Sequence, residues 1–161
     1  MVKSFSQISE DNVKLAIVGG DYGFKEELEN LIEKLDMKER VMFPGVLTGK
    51  NKIEALVDCD IFIMPSRYES FTTSGLEAMA CSKPLILTEN NHIQSWVKDT
   101  AGLVCKFDED ELTYCIETLL ADESSCQKFG DAGRKLIEDK YDWDKVSKQI
   151  ESIYQDCISS Y

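Results

Sequence analysis

The sequence predicts an α/β domain, a parallel sheet with helices on both faces, and three observations carry that prediction. Short apolar runs, each closed by glycine, proline or a turn, recur through the first two-thirds of the chain. Stretches with apolar residues at helical spacing separate them. Beyond Phe107 only the helical pattern remains. Strands and helices that alternate at this length pair in parallel and are covered by their own crossovers.

The elements follow in order. VKLAIV, Val13 to Val18, is a strand that ends at Gly19-Gly20, and the charged stretch Phe24 to Leu35 after it is patterned as a helix. Arg40 to Phe43 reads as a short strand closed by Pro44-Gly45, Lys50 to Cys59 as a helix, and Ile61 to Met64 as a buried strand closed by Pro65. A helix over Ser74 to Cys81 leads into the strand Leu85 to Thr88, and a turn-rich segment through His92 and Trp96 leads into the strand Leu103 to Lys106. Three helices close the chain, Glu109 to Leu120, Glu123 to Glu138 and Trp143 to Cys157. Met1 to Ser9 reads as the end of a helix with no strand before it, although a sheet of this kind opens with a strand. Residues 1–161 are therefore expected to form one domain that begins partway into a larger protein.

Composition narrows the function classes. The length suits one domain with a real core and is small for a complete two-substrate enzyme. With 43% hydrophobic and 30% charged residues, a largely disordered chain is excluded. The net charge of −12 repels polyanions, so nucleic acid is not an expected partner. A small phosphate ligand stays open, because backbone amides at a helix N-terminus can hold one on an acidic protein. The 6 cysteines form no CxxC pair and only His92 could join them, which argues against a structural metal. Cysteines in apolar runs, such as Cys105 in GLVCKF, fit buried thiols in a reducing compartment, read here as the cytoplasm. No apolar run reaches the roughly eighteen residues of a membrane span, and MVKSFSQISEDN lacks the apolar core of a signal peptide.

Ligands of open parallel sheets bind beyond the carboxyl ends of the strands. The segments there are Gly19 to Gly23, Pro44 to Thr48, Pro65 to Thr73 and Glu89 to Ile93. The first resembles a nucleotide-phosphate turn, but its glycines fall as G-G-x-x-G, and without G-x-G-x-x-G a nicotinamide dehydrogenase is disfavoured. A tight turn without ligand explains Gly19 and Gly20 equally well.

The third segment is the informative one. PSRYESFTTSGLEAMACSKPLIL, Pro65 to Leu87, closely resembles the signature of family 4 glycosyltransferases of the GT-B fold, P-S-x-x-E-G-F-G-x-x-x-x-E-A-M-A-C-G-x-P-V. Glu69 and Glu77 match its two glutamates. AIVGG, RVMFPGV, ALVDCDIFIMPS, AGLV and YDWDKVSKQI agree with the same family's C-terminal domain in the same order. The resemblance implies a Rossmann-like domain that is half of a two-domain enzyme. It implies that Glu77 accepts hydrogen bonds from the ribose of a nucleotide diphosphate sugar, such as a UDP- or GDP-sugar. Glu69 would act at the donor sugar near the reacting carbon and is the catalytic candidate. The amides of Phe71, Thr72 and Thr73 would hold sugar hydroxyls or the diphosphate, with Gly19 and Gly20 nearby and Pro44, Gly45, Val46 and Leu47 against the base. No cofactor and no metal is invoked.

Plainer readings stand beside these. Ser74-x-x-Glu77 has the spacing of a capping box. Glu69 could be a solvated loop acid paired with Arg67, His92 and Trp96 could pack the turn against the sheet, and Tyr141 and Trp143 could dock the last helix. The sequence also departs from the family: Ser70, Thr72 and Ser82 stand where it has glycines, and His92 and Ser95 where it has glycine and glutamate after the next strand. The family's G-R-L…K-G segment, whose basic pair neutralises the departing diphosphate, has no counterpart in Met1 to Asn12. The expected function is donor binding and, with the N-terminal acceptor domain, retaining transfer of the sugar to a glycan, lipid or small-molecule acceptor. Any membrane association would come from that domain, and the chain alone is expected to be inactive. A GT-B-type nucleotide-sugar epimerase and a non-catalytic binding module are the alternatives.

Overall fold

A strand buried on both faces needs a helix layer above and below it, and the chain supplies these layers by following each strand with a helix. The computed structural model describes residues 1–160. In order they form α1 (Val2–Ser6), β1 (Leu15–Val18), α2 (Lys25–Lys34), β2 (Val41–Gly45), α3 (Gly49–Asp58), β3 (Phe62–Met64) and α4 (Thr73–Ala80). β4 (Leu85–Thr88), α5 (Gln94–Val97), β5 (Gly102–Cys105), α6 (Glu109–Leu120), α7 (Glu123–Lys140) and α8 (Trp143–Ser159) complete the domain.

Every strand pairing is parallel, with Leu15 opposite Val41, Phe62 opposite Leu85, and Leu85 opposite Gly102. The strands divide into two sheets, β1–β2 and β3–β4–β5, where the alternation of elements predicts one. An apolar run specifies which faces of a strand are buried, whereas the pairing of its edges depends on what lies beside it in the fold. Among the described residues, the edge of β1 away from β2 and the edge of β3 away from β4 pair with no strand.

Alternation along β4 sorts the core into two layers. Leu85 and Leu87 pack with Leu56, Ala78, Met79, Ile93, Val97 and Ala101 on one side. Ile86 joins Phe5, Ile32, Met37, Leu112, Ile116 and Leu119 on the other, together with Leu15, Ile17, Val41 and Phe43 of the second sheet. The two sheets therefore share an apolar layer. Helix α7 approaches α4 closely at Gly130, where a Cβ would lie 2.1 Å from the carbonyl oxygen of Ser82.

Several boundaries move. β2 runs on through Pro44 to Gly45; proline is tolerated because β2 is an edge strand, and Gly45 supplies the φ of 79° at which the chain turns. The turn-rich segment holds the one-turn helix α5, packed by the fully buried Ile93 and Val97. Tyr141, at the end of α7, stacks on Trp96 with centroids 5.1 Å apart, whereas Trp143 is 81% exposed and does not dock the last helix as expected. Trp143 is the first residue of α8, a helix without a buried residue, so its ring stands on a solvent-facing element. No helix among the described residues is long and apolar enough to cross a membrane.

Candidate functional site

The loops after β1 and β2 meet first. The amide of Gly19 donates to the carbonyl of Gly45 at 3.0 Å, which brings Gly19, Gly20 and the Pro44 to Leu47 segment to one edge. At the start of α2 the carboxylate of Asp21 accepts from the amides of Gly23 and Lys25 at 2.7 and 3.3 Å. These bonds hold the Asp21 carboxyl below its ordinary range. The helix end where a phosphate would bind is thus occupied by the chain's own carboxylate, an arrangement that suits a tight turn.

The loops after β3 and β4 are stitched together by backbone. The amide of Glu69 donates to the Asn90 carbonyl at 2.9 Å, and the amide of His92 donates to the Glu69 carbonyl at 3.1 Å. The Thr88 hydroxyl donates to the carbonyl of Ser66. Glu69 is therefore held at the carboxyl edge of the larger sheet, and its carboxylate accepts from the amide of Phe71 at 3.2 Å. Arg67 is not its partner, because the guanidinium stands 5.2 Å from the centre of the Phe107 ring, where the cation is favoured by the aromatic face.

The capping-box reading of Glu77 does not survive. Thr72 is the N-cap of α4, its Oγ1 accepting from the amide of Gly75 at 3.0 Å. A capping box needs its acid three positions after the cap, and that position is Gly75. Ser74 lies inside the helix instead. Glu77, one turn in, accepts from the Nζ of Lys52 on α3 at 2.5 Å. Among the described residues the first two amides of α4, Thr73 and Ser74, have no hydrogen-bond acceptor in the protein. The Thr72 side chain, 2% exposed, turns inward onto Gly75, while Ser70 stays exposed. Ser82 ends α4 in the left-handed conformation at φ 58°, with its amide on the Met79 carbonyl and the Lys83 amide on the Ala78 carbonyl.

A cavity of about 370 Å³ opens beside Glu69, lined by Tyr68, Glu89, Asn90, Asn91, His92 and Gln94. Asn91 is 1% exposed; its side-chain oxygen accepts from the Ile93 amide, and its Nδ2 has no partner among the described residues. A larger hollow of about 530 Å³ lies between α1 and α2, but it contains none of the site residues, and the chemistry favours the smaller one. An aromatic line braces the loop: Phe71 meets Trp96 edge-on at 6.4 Å, and Trp96 stacks on Tyr141. No cluster of three metal-ligating side chains occurs among the described residues.

Two glutamates eight positions apart, on a loop and a helix with free leading amides at a parallel sheet's carboxyl edge, make a particular kind of site. Residues 1–136 match the family model of glycosyl transferases group 1. The chain belongs to that family. This glycosyltransferase domain is 32% identical to the N-acetyl-alpha-D-glucosaminyl L-malate synthase of Bacillus anthracis, over 98% of the chain and 42% of that protein. Its fold superposes on Anabaena HepE in complex with UDP-glucose with a TM-score of 0.87 at 21% identity, covering 96% of this chain and 44% of that one. The C-terminal domain of the group 1 protein LpcC from Francisella tularensis superposes with a TM-score of 0.76 at 22% identity, covering 88% and 80%. The fold is that of the C-terminal domain of GT-B glycosyltransferases. The chain spans about 42% of the length of its B. anthracis relative.

Two residues beside the glutamates of the candidate site escape the sequence reading. Lys52 lies 25 positions from Glu77 on a helix whose local pattern gives it no distinction. Asn91 stands in a turn where only its burial, invisible in a polar NNH string, marks it out.

Proposed function

We propose that this domain binds a nucleotide diphosphate sugar and, in the intact two-domain enzyme, transfers the sugar to an acceptor with retention of configuration. The observation that carries this reading is the start of α4, where two amides without protein acceptors lie between Glu69 and Glu77. The helix dipole and those amides favour the diphosphate as its charge grows on departure. Glu77 takes the ribose hydroxyls. Glu69, held by the loop after β4, faces the sugar and stabilises the positive character that develops at the reacting carbon. Pro44 to Leu47 line the base, and Gly19 and Gly20 close that wall. The N-terminal domain brings the acceptor and the basic pair that meets the leaving group, and with it any membrane contact; this part of the enzyme works in the cytoplasm. The reading needs no metal, because amides and basic side chains can meet the phosphates.

The test is Glu77→Ala, with diphosphate affinity and melting temperature measured together. Loss of a charge-assisted acceptor for two hydroxyls is worth about 1.5 to 3 kcal/mol, so affinity for UDP or GDP should fall roughly ten- to a hundredfold. Melting should hardly change, because Thr72 is the helix cap. Unchanged affinity for both diphosphates would remove the ribose assignment. In the full-length enzyme, Glu69→Gln should slow transfer while diphosphate affinity stays near wild type. This chain alone should bind UDP or GDP in preference to the nucleoside and transfer nothing.

A further inference from the structure

The ion pair between Lys52 and Glu77 joins two helices whose N-termini open at the same edge. α3 starts after β2 and α4 after β3, and the two side chains meet one turn in from each start. Both are about one-third exposed, 38% for Lys52 and 34% for Glu77, so the pair is reachable from solvent. The other basic side chains near this edge are engaged elsewhere: Lys50 with Glu54 on the outside of α3, Arg67 with Phe107, and Lys25 with Glu29. Lys52 is thus the cation that the fold places against one of the two site glutamates.

The electrostatics give this position meaning. A nucleoside diphosphate is a polyanion, and the site would present it with the carboxylates of Glu69 and Glu77 on a chain of net charge −12. An ammonium has three donors, of which Glu77 takes one; a carboxylate has several lone pairs, of which Lys52 takes one. Both partners therefore keep capacity for a ligand. A ribose held by its hydroxyls on the free lone pairs of Glu77 would carry its 5′ phosphate a few bonds from those hydroxyls, within reach of the ammonium's remaining donors.

Resting on the nucleotide-sugar reading, we propose that Lys52 is a nucleotide-binding residue of this site: anchored by Glu77, it donates to the phosphate attached to the ribose. Lysine and glutamate then form one bipartite reader, the carboxylate for the hydroxyls and the ammonium for the phosphate. Lys52 also offsets the charge of Glu77, which would otherwise oppose binding of the diphosphate.

The experiment compares wild type, Lys52→Met and Lys52→Arg by calorimetry with uridine, UMP and UDP, and with guanosine, GMP and GDP. Removal of a charge-assisted phosphate contact should weaken UMP and UDP, or GMP and GDP, about tenfold in Lys52→Met. Nucleoside binding should change less than about twofold, and Lys52→Arg should recover most of the phosphate preference. The salt dependence of diphosphate binding should also flatten in Lys52→Met, because a partly exposed charge contact is screened by ions. Melting curves of both variants establish that each is folded at the temperature of titration. Equal loss for nucleoside and nucleotide would overturn the phosphate contact and leave Lys52 as a support for Glu77. Unchanged affinity for all ligands would overturn any binding role. Wild type that does not distinguish diphosphate from nucleoside would sink the nucleotide-sugar reading itself, whatever Lys52 does.

Discussion

At position 82 a serine holds a backbone conformation that suits glycine, with φ at 58°, because the end of α4 needs a left-handed residue to close its last carbonyls. The left-handed conformation costs a residue with a Cβ about 1 kcal/mol or more, so Ser82→Gly should raise the melting temperature by roughly 2 to 4 °C. A lower melting temperature would show that the serine side chain supplies something the backbone geometry hides. Thr72 is the opposite case. There a residue replaces the family's glycine and strengthens the fold, since its hydroxyl caps α4; Thr72→Ala should cost about 1 kcal/mol in denaturant unfolding. The cysteines sort by burial. The neighbouring Cys115 thiol and burial push the Cys105 thiol up. In the native protein a maleimide should label the exposed Cys157 first, and Cys105 only on unfolding.

Among the helices, α7 makes a contact that a side chain would not permit. Gly130 admits the Ser82 carbonyl at a distance no Cβ could share, so Gly130→Ala must separate α7 from the end of α4. A cost of about 2 kcal/mol or more is expected, seen as a lower urea midpoint at unchanged slope. Almost every element was legible in the sequence, because strands such as Leu85–Thr88 are bounded by a proline and a polar turn, and helices such as α6 keep their apolar spacing. The start of α4 carries a false signal for a local reason. Ser74 and Glu77 imitate a capping box, while Thr72, two residues earlier, wins the cap because its hydroxyl reaches the Gly75 amide. The two glutamates could be seen in the signature string, but the partner of Glu77 could not. Lys52 comes from another helix, and no local pattern records a meeting of side chains across the fold.

For the whole molecule, acid is the sensitive direction. Asp21, Glu33, Glu111 and Asp122 are all held below the ordinary carboxylate range: Asp21 by backbone amides, Glu33 and Glu111 first by their lysine partners, and Asp122 first by the Ser125 hydroxyl. Each binds its proton less readily folded than unfolded. Their contribution is complete above the unfolded values near 4 and is lost as pH falls through the lower folded ones, so the urea midpoint should drop between about pH 5 and pH 3. An acid midpoint equal to that at neutral pH would contradict these assignments.

The break between the two sheets has a consequence for how the molecule breathes. β4 is paired on both edges and buried along its whole length, whereas among the described residues β1 and β2 pair only with each other. A two-stranded sheet is marginal by itself, so in hydrogen–deuterium exchange the amides of β1 and β2 should open well before those of β4. Lys52 belongs to the helix that follows the smaller sheet and Glu77 to a helix of the larger one, so their ion pair crosses the break. A nucleotide held by both residues would act as a rivet between the two plates. Its arrival should slow exchange in β1 and β2 far more than in β4, and the ratio of the two changes would measure how tightly the ligand couples the plates.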